Sequence, residues 1–367
     1  MPPAADPPPA STTDAPALDD LRAEIAARGP IGFDRFLELA LYGPHGFYTV
    51  GGHAGRRGGD FLTSPEVGPL FGAVLARAID GWWDELGRPT TFTFAEVGAG
   101  PGTLARAVLA ADPACRQAGA LRYLAIETSA AQRERHPDGV ESLEVVPAEL
   151  GDAVVFANEL LDNLPFRLLV FDDGWREAHV ATDRDGRLVE RLGGRLDGAH
   201  WLPAGAELGS RVPWQEAAAR WVDDMRGRVG RGRVVTIDYV TPLTATLAAE
   251  PWRQWLRTYR RHERGAHYLA IAGAQDVTAQ VALDQLPTPD AVRSQAQFLQ
   301  RWGIDELVEE GRQAWAAGAA APTLATMAMR SRLREADALL DPRGLGGFMA
   351  LEWAVNTTDP GASHPAG

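Results

Sequence analysis

The chain contains no lysine. All 36 of its basic residues are arginine, so Schiff-base chemistry on a lysine amine is excluded. Cys115 is the one cysteine, which rules out an intramolecular disulfide and a cysteine-built metal cluster. Its expected role is that of a small apolar residue. His45, His53 and His262 lack metal-ligand spacing and read as surface or structural residues, with His262 the best outside candidate for a base. No G-x-S-x-G elbow is present, which leaves hydrolase chemistry without a nucleophile. No apolar run approaches the roughly 18 residues that span a bilayer. Positive charge is also short: the net charge of −13 argues against a nucleic-acid partner and is compatible with a cationic one. The expected compartment is the cytoplasm, and the sequence does not specify an oligomeric state.

What is present is concentrated in Phe92–Leu104, which reads F-T-F-A-E-V-G-A-G-P-G-T-L. An apolar β-type run ends at Glu96, Gly98, Gly100 and Gly102 follow at alternate positions, and a helical pattern starts at Thr103. Glycine lets a backbone approach a ligand closely and take positive φ, and a helix that starts there turns free N–H groups toward the ligand. A dinucleotide fingerprint needs G-x-G-x-x-G, but its third glycine would fall on Thr103. The E-x-G-x-G-x-G pattern resembles motif I of class I S-adenosylmethionine (SAM) methyltransferases. That resemblance places Glu96 near the methionine moiety and the three glycines around the amino-acid tail and ribose. A plainer reading is a glycine-rich turn in another α/β domain.

Two further strands belong to the same unit. Leu121–Ile126 is a short apolar run ending at Glu127, where an acid can accept hydrogen bonds from ribose hydroxyls. Ala153–Ala157 is another, ending in Asn158, Glu159 and Asp162. Polar groups at the carboxyl end of a central strand are where open α/β sheets bind ligands. Function is favoured for Asn158 and Glu159. For Asp162 a site role and a helix cap stand equal.

Gly58-Gly-Asp-Phe-Leu-Thr-Ser-Pro-Glu66 and Ala157-Asn-Glu-Leu-Leu-Asp-Asn-Leu-Pro165 resemble the G-D-F-x-T-S-P-E and A-N-E-x-x-D-x-L-P motifs of the MidA family. Tyr42-Gly-Pro-His-Gly-Phe-Tyr48, Thr236-Ile-Asp-Tyr239, Gln275-Asp-Val-Thr-Ala279 and Ser294–Gly303 keep that family's order, from about Gly29 to about Leu351. The family includes an arginine methyltransferase of mitochondrial complex I assembly. The resemblance implies a SAM cofactor, a protein substrate with arginine as the acceptor, and by extension a respiratory-complex subunit as partner. Candidate cofactor contacts are Glu96, Gly98, Gly100, Gly102, Glu127, Asn158, Thr63 and Ser64. Candidate catalytic residues are Glu159, Asp162, Asn158 and Asp60, with Glu66 as a further carboxylate to grip a guanidinium. The Asp60–Glu66 loop is expected to close as a lid; the plainer expectation is that Ser64-Pro-Glu66 caps the next helix. A non-catalytic assembly factor, a small-molecule methyltransferase and a nicotinamide oxidoreductase are the alternatives.

The expected fold is α/β: a class I methyltransferase, Rossmann-like doubly wound sheet with a helical N-terminal region and a mainly helical substrate-side region. By sequence, 1–17 is a disordered tail without the pattern of a transit or secretory signal. A helical region with the lid loop covers 18–90, the SAM-binding core 91–244, a substrate-side insertion and helical region 245–355, and a second tail 356–367. Helices are expected over Leu18–Arg28, Phe33–Leu41 and Pro69–Trp83. Arg167–Phe171 and Trp175–Ala181 are expected to form a hairpin on Asp172-Asp-Gly174, and Val234–Tyr239 a late strand.

Overall fold

The computed structural model describes residues 16–49, 63–196, 198–260, 263–321 and 323–356. These fall into two compact units that interleave along the chain. One takes its described residues from 16–49, 161–220 and 239–287, the other from 63–160, 221–238 and 288–356. The contiguous blocks 91–244 and 245–355 of the sequence reading are therefore not the units of packing.

The second unit is built on a seven-stranded sheet. Its order is Ala291–Ser294, Met349–Val355, Val229–Asp238, Gly151–Asn158, Phe92–Val97, Leu121–Ile126 and Glu141–Leu143. The last five strands run parallel, and the first two add an antiparallel edge. The Phe92–Val97 strand is buried along its whole length, which explains why its sequence is a near-continuous apolar run rather than an alternation. Phe94 stacks on Phe156 of the neighbouring strand at 5.9 Å and touches Tyr123 on the other side at 5.1 Å. The Leu121–Ile126 strand has the predicted bounds, and the late strand is longer than expected, Val229–Asp238.

The helix predicted over Pro69–Trp83 runs Pro69–Glu85 and buries Leu70, Val74, Ala78 and Trp82 on one face at the period of a turn. Its N-terminus is not capped by Ser64 or Glu66. The Leu70 N–H instead donates to Glu335 Oε2 at 2.8 Å, from a helix (Leu324–Leu340) far along the chain. The 287–352 stretch, expected to be mainly helical, carries three helices bracketed by the two antiparallel edge strands.

The first unit has a five-stranded sheet in which Trp175–Thr182 pairs with Ile31–Gly32, Arg167–Phe171 and Leu188–Arg195, and Arg167–Phe171 also pairs with Arg211–Trp214. The predicted hairpin is present, with Asp173 and Gly174 at φ +49° and +115° in its turn. The N-terminal helix covers Pro16–Arg28. The second expected helix is Phe33–Leu37, followed by a π turn at Glu38–Tyr42. Phe33, Phe36, Phe166, Leu168, Trp255 and Tyr268 form the core of this unit. No described helix is long and apolar enough to cross a membrane.

Candidate active site

In the parallel sheet, connections leave Phe92–Val97 toward Leu121–Ile126 on one side, while Gly151–Asn158 flanks it on the other. The order reverses between Phe92–Val97 and Gly151–Asn158. The carboxyl ends of two strands at such a reversal leave a crevice that binds ligands. Gly98–Gly102 leaves one of these ends and Asn158–Glu159 the other.

The glycine loop has its backbone groups accounted for. The Gly98 and Ala99 N–H groups both donate to the Ile126 carbonyl at 3.0 Å, and the Gly100 N–H donates to Glu127 Oε2 at 3.0 Å. Arg106 donates to the Pro101 carbonyl at 2.8 Å, and His136 Nε2 lies 2.9 Å from the Gly100 carbonyl. Gly98, Gly100 and Gly102 have φ of +74°, +51° and +75°, a region that side chains with a Cβ rarely adopt. A Cβ on Gly102 would meet Pro137 at 2.9 Å, whereas one on Gly100 would meet nothing within 4 Å. The loop is thus packed at Gly102 and open at Gly100, and Thr103–Ala111 begins a helix directly behind it.

Glu127 stands at the end of its strand, as predicted. Its two oxygens accept the N–H groups of Gly100 and Ser129, at 3.0 and 2.8 Å. Oε1 also accepts the Thr128 hydroxyl at 3.4 Å, so of the two oxygens, each with two lone-pair sites, Oε2 is the one that can still accept a hydroxyl. Glu96 is an interior group. It is 5% exposed, its Oε2 accepts the Tyr123 hydroxyl at 2.6 Å, and burial pushes its pKa up to about 8 against the pull of that bond. The Tyr123 phenol is itself pushed well above its ordinary range by burial and by Glu96.

At the other strand end, Asn158 Nδ2 donates to Glu159 Oε1 at 2.9 Å, while Asn158 Oδ1 is buried with no hydrogen-bond partner among the described residues. Glu159 has φ +52°, although it is not a glycine, and its N–H donates to Ile237 across the sheet at 2.8 Å. A left-handed non-glycine residue costs of the order of 1 kcal/mol and clusters at functional sites. Asp238, fully buried at the end of the Val229–Asp238 strand, accepts the Leu160 N–H at 3.2 Å and holds the turn that follows.

Ser64 is fully buried. Its hydroxyl donates to Gln295 Oε1 at 2.8 Å, so that hydroxyl serves as an interior tie, while its N–H points at Glu159 Oε1, 3.4 Å away. Thr63 flanks the short Ser64–Val67 helix without a side-chain capping bond. Glu66, on that helix, is half-buried; burial raises its pKa, and its Oε2 has no partner among the described residues. Asp162 belongs to the antiparallel unit, where it is buried and accepts the Thr278 hydroxyl at 2.5 Å. Asp60, His53 and His262 lie outside the described residues. His45 pairs with Asp20 at 2.8 Å. Tyr123, Arg106 and His136 are site residues that the sequence reading missed. Tyr123 hides in an apolar strand, but His136-Pro-Asp-Gly139 carries a turn signature that flags a fixed loop.

The open Gly100 face, the helix start at Thr103 and the remaining acceptor capacity of Glu127 fit a nucleoside with an amino-acid tail. Gly98–Gly102 would admit the tail and Glu127 would take the ribose hydroxyls. A family profile for S-adenosyl-L-methionine-dependent methyltransferases matches residues 74–300. Among solved structures, a Burkholderia thailandensis protein bound to S-adenosyl-homocysteine is similar with a TM-score of 0.79 and 27% identity, over 95% of this chain and 96% of that one. A second structure from that organism gives 0.78 and 26% over the same shares. The mitochondrial protein arginine methyltransferase NDUFAF7 homolog of Drosophila melanogaster is 29% identical over 191 residues, 44% of this chain and 43% of its own length. Human NDUFAF7 is 34% identical over 102 residues, 28% of this chain and 23% of its own. The match thus spans less than half the length of these curated relatives. With the glycine loop, the strand-end acid and the profile match in agreement, the chain belongs to the MidA-like family of S-adenosylmethionine-dependent methyltransferases.

Proposed function

We propose that this chain methylates an arginine side chain of a protein, in the cytoplasm, with a respiratory-complex subunit as the candidate substrate. The observation that carries the acceptor reading is the Asn158–Glu159 turn. A carboxylate and a buried amide oxygen with no partner among the described residues stand side by side at the strand end that faces the sheet reversal. A guanidinium presents five N–H donors in a planar fork and no acceptor, so it is recognised by oxygens, and most strongly by a carboxylate. The bound cofactor supplies a methyl group already activated on a sulfonium. Glu159 would hold the guanidinium with one nitrogen aimed at that methyl, and Asn158 Oδ1 would accept a second N–H. Bound at the glycine loop, the cofactor would give up that methyl to the guanidinium nitrogen and leave as S-adenosyl-homocysteine with the C–S electron pair. The proton shed by the guanidinium passes to the Glu159 carboxylate or to water. Alignment rather than acid strength is what such a site contributes.

The mitochondrial arginine methyltransferases among the relatives support this reading. The test is transfer of tritiated methyl from SAM to arginine peptides, to the same peptides with lysine in place of arginine, and to free arginine, followed by amino-acid analysis. Methylarginine in the arginine peptides alone is expected. Glu159→Gln should lose transfer while still binding S-adenosyl-homocysteine. Label on the lysine peptides, or only on free arginine, would overturn the proposal.

A further inference from the structure

We infer that His136 is a positioning residue for cofactor binding: it fixes the Gly100 peptide in the orientation that keeps the glycine loop open to the ligand. His136 lies outside every motif of the chain, in the turn between the Ala130–Arg133 helix and the Glu141–Leu143 strand. Its ring nevertheless meets two of the three loop glycines. Nε2 is 2.9 Å from the Gly100 carbonyl oxygen, and Cδ2 is 3.2 Å from the place a Cβ on Gly102 would occupy.

The hydrogen-bond chemistry sets the tautomer. A carbonyl oxygen only accepts, so the ring proton sits on Nε2. Nδ1 is then an acceptor, and the Ser142 hydroxyl, 2.8 Å away, donates to it. Burial holds the ring's pKa below its ordinary value, against the Gly100 bond and the Glu127 charge, which favour the cation; Arg106 and Arg133 also disfavour it. The neutral, Nε2-protonated ring is therefore the form that ties the loop.

The tie matters because of what it completes. The Gly100 N–H is held by Glu127 and the Gly100 carbonyl by His136, so the residue with φ +51° is fixed at both of its polar ends. Its Cα face is the one that meets nothing within 4 Å. Without the His136 bond, that carbonyl can rotate toward the open face and present an acceptor lone pair where a backbone must approach the ligand closely. Ordering the loop would then be charged to the ligand at binding, which weakens affinity. Glu127 is coupled to the same peptide, so a loosened Gly100 also loosens the acid expected on the ribose.

The inference rests on the cofactor reading of the loop and not on the identity of the acceptor. S-adenosyl-homocysteine binding is therefore the readout, and its failure leaves the arginine proposal untouched. Calorimetric titration would compare the full chain with His136→Leu and His136→Gln, with a thermal melt of each. Leucine fills most of the ring's space and has no donor; the glutamine amide can donate to the Gly100 carbonyl. His136→Leu should weaken binding about tenfold, the size of one hydrogen bond, and His136→Gln should recover most of that loss. Equal affinity in all three proteins would overturn the inference, and so would equal weakening in both variants, which would make the ring a space-filler. A second measurement needs no variant. A nitrogen-15 spectrum of the imidazole rings should show His136 protonated at Nε2 and bare at Nδ1 near neutral pH, with the Nε2 signal shifting when S-adenosyl-homocysteine is added. The opposite tautomer would sink the proposal.

Discussion

In the antiparallel unit, Glu190 is gripped by Arg211 at 2.6 and 2.9 Å and by the Tyr268 hydroxyl at 2.5 Å. Burial alone would raise its pKa, but these bonds outweigh it and hold the carboxyl below its usual range. In the parallel unit, Glu96 is more deeply buried. The Tyr123 hydroxyl bonds it and no described guanidinium does, so burial prevails and its pKa rises to about 8. The chain has 36 arginines, so the difference is not a shortage of cations. The antiparallel unit uses ion pairs to close its interior; Arg167 bound to Glu177 at 2.6 Å repeats the pattern. The carboxyl edge of the parallel sheet keeps neutral or partly bonded acids, together with a strained Glu159 and an open glycine loop. A buried polar group left short of partners costs stability, and that cost is tolerated where a ligand supplies the missing contacts.

The sharpest way to break this comparison is at the loop. Gly100→Val puts a branched side chain on the open face at a φ that branched residues avoid, and should raise the Kd for S-adenosyl-homocysteine on the order of a hundredfold. Calorimetry reads it, and an unchanged Kd would remove the loop from the site.

Next is the titration of Glu96 in the ligand-free protein. Its carboxyl ionises near 4.5 when unfolded and near 8 when folded, so the native state binds the extra proton between those values. The stability this contributes is present below about pH 4.5 and is lost as pH rises through 8, a swing of about 4–5 kcal/mol. Glu96→Gln should flatten that slope in urea melts between pH 5 and 8.5. An equally steep variant would place the effect elsewhere.

Arg211→Met makes the antiparallel unit resemble the parallel one by leaving Glu190 buried without its cation. It should cost about 3–4 kcal/mol in urea denaturation at pH 7. Adding Glu190→Gln should recover much of the loss; if it does not, Arg211 acts through its packing on Trp252. The smallest expected effect is at Glu335. Its carboxyl caps the Pro69–Glu85 helix, and Glu335→Ala should cost about 1 kcal/mol while Ser64→Ala leaves that helix end unaffected.

Much of the parallel unit could be read along the chain. Leu121–Ile126 and the glycine turn there, and the Arg167–Thr182 hairpin in the antiparallel unit, are local patterns, set by residue period and by glycine and aspartate in their turns. Glu127 was placed correctly because a strand end is local information. Glu335 as a helix cap, Ser64 bonded to Gln295, and His136 under the loop could not be read, since each partner lies tens to hundreds of residues away. The edge strands Ala291–Ser294 and Met349–Val355 were missed for a related reason. Their neighbours in sequence are helices, and it is pairing with Val229–Asp238 and with each other that makes them strands.

The sequence alone therefore determined the glycine loop and the acid beside it. Positive-φ glycines, the helix start and the strand-end acid are dictated within a few residues of one another. Tertiary structure alone decided how the chain is divided, which carboxyl is ionised and which histidine holds the loop. Those outcomes depend on burial and on hydrogen-bond partners, and folding brings these together from positions far apart along the chain.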